Sequence, residues 1–133
     1  MSNEDIIDQD IIREFIDDMK HKLANLEDLI GSLTPNQVDK SSVDEIFRSL
    51  HTIKGTSSIF GYMKIKSLAH VMEDILMMIR DGNINITESL VCDFLSGLDC
   101  LSHIVTNIQK SGEELESENG YRDCLERISS YIP

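Results

Sequence analysis

Residues 50–62 read Leu50-His51-Thr52-Ile53-Lys54-Gly55-Thr56-Ser57-Ser58-Ile59-Phe60-Gly61-Tyr62. Leu50 and Ile53 continue a stripe begun by Val43, Ile46 and Phe47, at the three- and four-residue spacing of one helix face. Ser42-x-x-Glu45 opens this helix as a capping box, in which each side chain can satisfy a backbone amide. The helix is expected to run to about Ser58 and to turn at Gly61-Tyr62. Gly55 lies inside the helical pattern, where it costs about 1 kcal/mol relative to Ala. It stands one turn after His51, where it removes a side chain that would crowd the imidazole, and Lys54 occupies the neighbouring i+3 position.

Working outward, a third helix is predicted from Met63 to Arg80, with Ile65, Leu68, Met72, Ile75, Leu76 and Ile79 facing inward. Asp81-Gly82 is its stop, because glycine tolerates the left-handed conformation that follows many helices. Upstream, Ile12, Phe15, Ile16, Met19, Leu23, Leu26, Leu29 and Ile30 mark a first helix from about Ile7 to Leu33, ended by Gly31 and Pro35. Downstream, a fourth runs from about Thr87 to Lys110 through Leu90, Val91, Phe94, Leu98, Leu101, Val105 and Ile108. Ser111 to Gly120 reads as an acidic, mobile loop. A short fifth helix, Tyr121 to Tyr131, carries Leu125 and Ile128. The expected fold class is all-α: an antiparallel four-helix bundle with a short additional C-terminal helix, one domain over residues 1–133.

Composition agrees. Of 133 residues 41% are apolar, with three Tyr, four Phe and no Trp, so Leu, Ile and Met must fill a core of the helix-on-helix kind. The net charge of −12 argues against nucleic acid as a partner and disfavours anionic membrane surfaces. Cys92, Cys100 and Cys124 have no C-x-x-C spacing and read as reduced, mostly buried thiols rather than a disulfide framework or zinc site. The opening Met1-Ser2-Asn3-Glu4-Asp5 lacks a basic n-region, and no apolar run is expected to approach the length of a membrane span. A soluble, cytoplasmic protein is the expectation.

The angles around His51 carry the chemistry. At about 100° per residue, with the second helix's stripe centred near Leu50, His51 falls about 100° away, at the edge of the core-facing side. On the third helix, centred at Met72, Glu73 falls at the corresponding edge. His51 lies 10 residues before Gly61 and Glu73 lies 12 after it. At about 1.5 Å per residue the two differ in height by about 3 Å, so a carboxylate at the rim of an antiparallel pair reaches the imidazole. Such a carboxylate accepts Nδ1–H and leaves the Nε2 lone pair free as a nucleophile. Lys54 supplies positive charge for phosphoryl oxygens.

His51-x-x-Lys54-Gly55-Thr56-Ser57, followed by Phe60-Gly61-Tyr62, resembles the signature of histidine phosphotransfer domains, and most of all the N-terminal phosphotransfer domain of CheA-type chemotaxis kinases. Ala69-His70-Val71-Met72-Glu73 is similar to the second element of that subfamily. The resemblance covers nearly the whole chain; Thr56 departs from a position that is commonly smaller. It implies that His51 is the phosphorylated residue and that Glu73 orients its ring. It further implies that Lys54 lies beside the phosphoryl group, that Gly55 leaves the histidine open, and that His70 is a nearby accessory. The implied donor is the ATP-using catalytic domain of a histidine kinase, in the same polypeptide or another, and the implied acceptor is the aspartate of a receiver domain in a response regulator.

Other readings stand beside this one. A helical interaction or adaptor domain without chemistry needs nothing from His51. A metal-binding bundle would need several inward Glu and Glu-x-x-His elements, whereas His70 and Glu73 come in the reverse order, so no metal is expected. No phosphate-binding G-x-x-x-x-G-K-[ST] is present, so the domain is expected to hold no ATP or other cofactor itself. His21 and His103 have no comparable neighbourhood. Met72, Met77 and Met78 read as core and groove filler, with a partner-docking surface as the alternative for Met77, one turn from Glu73. The acidic loop and fifth helix favour the first domain of a longer kinase over a free-standing protein.

Overall fold

The computed structural model describes residues 3–114 and 118–133. Among these residues five helices follow one another: α1 (Asn3–Gly31), α2 (Lys40–Phe60), α3 (Met63–Arg80), α4 (Glu88–Ser111) and α5 (Glu118–Ser129). Among the described residues there is no strand. Helix α2 pairs with α3 and α1 with α4, while contacts of α1 with α2 and of α3 with α4 close the ring of four. Short connections make neighbours antiparallel, and α5 lies against α3 and α4. The expected all-α bundle with an added C-terminal helix is the fold observed.

Its core is aliphatic. Leu26, Ile30, Ile46, Leu50, Ile53, Ile65, Leu68, Met72, Ile75, Leu76 and Phe94 are fully enclosed. Helix α4 approaches its neighbours closely at Gly97, where an added Cβ would stand 2.9 Å from the Ile128 side chain and 3.2 Å from that of Met72. Ile128 thereby fastens α5 to the bundle. Long-range bonds fix both ends. At one end the Asn36 amide, in a left-handed turn, donates to the Ile86 carbonyl at 2.9 Å, joining the α1–α2 and α3–α4 connections. At the other end the Glu114 carboxylate accepts from the Lys64 and Ile65 amides at 3.0 and 3.1 Å. Tyr62, at the N-cap of α3, makes no side-chain cap bond, so a carboxylate from beyond α4 supplies it and meets the positive end of the helix dipole. The Tyr121 hydroxyl donates to the Lys64 carbonyl at 2.9 Å, and burial pushes that phenol up to about 12.

Several boundaries differ from those read in the sequence. Helix α1 begins at Asn3 rather than Ile7, because apolar periodicity marks only the packed part of a helix. Helix α5 begins at Glu118 and ends at Ser129, two residues short of Tyr131. Of the expected loop, Ser111 ends α4 and Glu118 to Gly120 open α5, while residues 115–117 lie outside the described residues. The capping box is a correction: α2 starts earlier and its N-cap is Asp39, whose carboxylate accepts from the Ser41 amide at 3.1 Å and the Ser42 hydroxyl at 3.0 Å. An acidic side chain three positions earlier caps the helix, so Ser42 and Glu45 lie inside its first turns rather than at its start. Cys124 is buried and Cys100 half-buried, but Cys92 is exposed, on the outer face of α4. Helix α4 also reaches the length and mean hydropathy, 1.2 over 18 residues, of a short membrane span, contrary to expectation. It earns that hydropathy as a core helix, since Leu90, Phe94, Leu98, Leu101, Ile104, Val105 and Ile108 are all buried within the bundle.

The cap assignment is directly testable. Asp39→Ala should lower stability in urea titration by about 1 kcal/mol, the usual cost of a lost N-cap. Ser42→Ala should stay within about 0.5 kcal/mol of the parent.

Candidate functional site

The register of α2 against α3 is set by how α2 ends. Gly61 takes the left-handed conformation, φ 79°, and its amide donates to the Ser58 carbonyl while the Tyr62 amide donates to that of Ser57 at 2.9 Å. This pair of bonds is a Schellman motif, which reverses the chain within two residues and needs a residue without a Cβ penalty at its centre. Helix α2 therefore runs to Phe60, two residues beyond the expected end.

From that turn, His51 and Glu73 come level. His51 Nδ1 lies 3.2 Å from Glu73 Oε2, and Lys54 Nζ donates to Glu73 Oε1 at 3.0 Å. Each carboxylate oxygen thus holds one partner, and both partners come from a single turn of α2. A carboxylate can only accept, so in the neutral ring Nδ1 carries the hydrogen and Nε2 the lone pair. The burial of the pair is uneven: the His51 side chain is 62% exposed and that of Glu73 only 7%. Glu73 was expected at the rim; it is buried, because His51 and Lys54 both lie over it and α2 and α3 pack closely. The Lys54 side chain is 21% exposed and engaged with Glu73, so its charge meets the imidazole across the carboxylate rather than alone.

Gly55 is exposed, and a Cβ built there would meet nothing within 4 Å. A methyl group would fit, which refines the expectation of crowding. Helical side chains lean toward the N-terminus, so any longer side chain at 55 would lie back over His51. His70 is exposed and pairs at 3.6 Å with Asp74 on its own helix; its contact is not with His51, Lys54 or Glu73. Met72 is core, Met78 half-buried and Met77 exposed, one turn past Glu73.

In the sequence Phe47 reads as part of the apolar stripe and Arg80 as the end of α3. Both adjoin the site. The Phe47 ring lies parallel to the His51 imidazole, and the Arg80 guanidinium stands 5.2 Å over the Phe47 ring. Phe47 is four residues before His51, the same spacing that singled out Gly55 on the other side, and that signal was available. Among the described residues no cluster of three or more His, Cys, Asp or Glu could hold a metal. A cleft of about 450 Å³ between α4 and α5, lined by Cys100, His103, Tyr121, Cys124 and Arg127, includes none of these site residues.

Comparison with known proteins gives this arrangement a context. Residues 10–130 match the family model described as Hpt domain. The chain is 33% identical over 101 residues to the chemotaxis protein CheA of Borreliella burgdorferi, a match that covers 76% of this chain and 12% of that protein. The chain thus spans about an eighth of the length of that relative. The solution structure of the histidine phosphotransfer domain of CheA superposes with a TM-score of 0.81 at 30% identity, covering 92% of each chain. The crystal structure of the phosphorylated P1 domain of CheA3 in complex with CheY6 from R. sphaeroides gives 0.77 at 25% identity, covering 92% of this chain and 98% of the other.

Removing the buried carboxylate tests the geometry apart from any activity. Glu73→Ala should cost about 1–3 kcal/mol in urea titration, since Lys54 loses its partner. It should also let the His51 ring exchange between tautomers, seen as a redistribution of its ¹⁵N shifts. A ring that keeps the parent shifts would show that Glu73 does not set the tautomer.

Proposed function

The chain belongs to the Hpt domain family, and from that premise we propose that it carries a phosphoryl group on His51 between a histidine kinase domain that uses ATP and the aspartate of a receiver domain. The observation that carries this reading is the 3.2 Å contact of Glu73 with Nδ1 on a ring that is otherwise mostly exposed. One nitrogen is held, and on the helix beside it Gly55 carries no side chain that would cover the other.

In the proposed cycle the Nε2 lone pair attacks the γ-phosphorus of ATP held by the kinase domain. The P–N bond forms as the P–O bond to the ADP leaving group breaks. The Nδ1 hydrogen stays on the ring, and the positive charge that develops there is met by Glu73. In the second step a carboxylate oxygen of the receiver aspartate attacks phosphorus, and the P–N bond breaks with its electrons returning to Nε2. Lys54, held on the other oxygen of Glu73, keeps the carboxylate neutralised and lies within one turn of the phosphoryl group. The module itself needs to bind neither ATP nor metal. His70 is kept as an accessory at the periphery of this site.

The relatives support the partners. The P1 domain of CheA3 was solved with CheY6, and the chemotaxis proteins that resemble this chain are several times longer. We therefore read residues 1–133 as one phosphotransfer domain of a two-component, chemotaxis-type relay, whose kinase domain belongs to the same polypeptide. The reading puts it in the cytoplasm, where ATP is available, and the net charge of −12 speaks against nucleic acid and anionic membranes as partners.

Labelling with the kinase domain and radioactive ATP should give an acid-labile, base-stable phosphoprotein, as a P–N bond requires. His51→Gln should abolish it; undiminished labelling of that variant would sink the assignment. Gly55→Arg should keep the parent melting curve yet slow transfer to the receiver about 100-fold, the order of cost when reacting groups are held an ångström apart from their best geometry. Transfer at the parent rate would move the docking surface elsewhere.

A further inference from the structure

One hydrogen bond fixes one atom of a ring and leaves its plane free. Glu73 holds Nδ1 of His51, but the imidazole can still swing about that contact. In-line transfer needs the Nε2 lone pair, which lies in the ring plane, to point at phosphorus, and small misalignments are costly. With 62% of the side chain exposed, few groups are available to hold that plane.

Phe47 is the group in position. It lies one turn before His51 on the same face, and helical side chains lean toward the N-terminus, so the imidazole reclines toward it. The two rings are within 11° of parallel with centroids 6.0 Å apart, the range of an offset stack. Phe47 is in turn restrained. The Arg80 guanidinium stands 5.2 Å over its ring, and Arg80 Nη1 lies 3.4 Å from Asp44 Oδ1. Asp44 is three residues before Phe47, so the clamp ties one turn of α2 to the last turn of α3. On the C-terminal side of His51, Gly55 offers no side chain to press against.

We propose that Phe47 is a positioning residue: it sets the plane of the His51 imidazole, and hence the direction of the Nε2 lone pair, with Arg80 and Asp44 holding the phenyl ring in place. This rests on the reading of His51 as the phosphorylated residue. Phe47 touches no phosphoryl oxygen, and the bonds made and broken are those already described. Its effect must therefore appear with both protein partners, since each meets the same aimed nitrogen. A small donor that approaches the imidazole freely should not feel it.

The test uses the full chain with its kinase domain and ATP, with its receiver, and with phosphoramidate, which transfers its phosphoryl group to imidazole and releases ammonia. Phe47→Leu should slow both protein reactions about 10-fold or more at saturating partner, with KM changed less than about twofold. Labelling by phosphoramidate should stay within about twofold of the parent. Phe47→Tyr, which keeps the ring, should restore both rates, and Arg80→Gln should give an intermediate loss. The ring-current shift of the His51 carbon-bound protons should vanish in Phe47→Leu and persist in Phe47→Tyr. Parent rates with both partners would overturn the proposal. So would a loss confined to one partner or to KM, which marks a docking contact, or an equal loss with phosphoramidate, which marks altered reactivity. Labelling that survives His51→Gln would instead bring down the reading beneath it, and the two failures are told apart by that variant.

Discussion

Glu73 is a carboxylate taken out of water and given two partners from one turn of the facing helix. That is the constraint on which the rest of the site depends. An unpaired charge so placed would be expensive, and Lys54 offsets the cost with a hydrogen bond of 3.0 Å. The second oxygen is then free to take Nδ1 of His51. The result is a histidine whose two nitrogens differ: Nδ1 is tied to a buried carboxylate, while Nε2 has no hydrogen-bond partner among the described residues. The asymmetry comes from burial of the carboxylate, not of the histidine.

That arrangement needs α2 and α3 to keep one register, and the bonds that keep it lie away from the site. Gly61 and Tyr62 close α2 with two bonds back to Ser58 and Ser57. The Glu114 carboxylate then caps α3 from beyond the end of α4, and Tyr121 of α5 bonds to the Lys64 carbonyl. The C-terminal part of the chain thus anchors the start of the helix that carries Glu73. It does so without touching His51, which is why a short fifth helix belongs to the architecture of the site though not to its chemistry.

What could be read in the sequence was what local spacing determines. The α2–α3 pair, the level placement of His51 and Glu73 and the Gly61 turn all follow from counting residues along two helices joined by a tight reversal. Bonds across long intervals could not be counted: the Glu114 cap joins residues 49 and 50 apart, and no local pattern announces it. Ser42 and Asp39 compete for the same helix start, and spacing alone favoured the wrong one. Glu73 was set at the rim because a helical wheel knows nothing of what the opposite helix lays on top. Phe47 was absorbed into the apolar stripe for the same reason, since an aromatic half in the core and half against an imidazole has one identity in sequence and two neighbours in space.

These contacts also explain why the motif is spaced as it is. One turn after His51 a helix offers two positions on the same face, i+3 and i+4. The i+3 position must be a cation, because the carboxylate that fixes the imidazole has a second oxygen to satisfy in a buried place. The i+4 position must be small, because its side chain would lean back over the ring and close the one direction left open. One turn before, at i−4, the reverse holds: bulk is needed there, and Phe47 provides it. Phe47, His51, Lys54 and Gly55 are thus four demands on a single turn either side of one nitrogen: exchanging Lys54 with Gly55 would take the cation from the carboxylate, and exchanging Phe47 with Gly55 would lay a ring back over the imidazole.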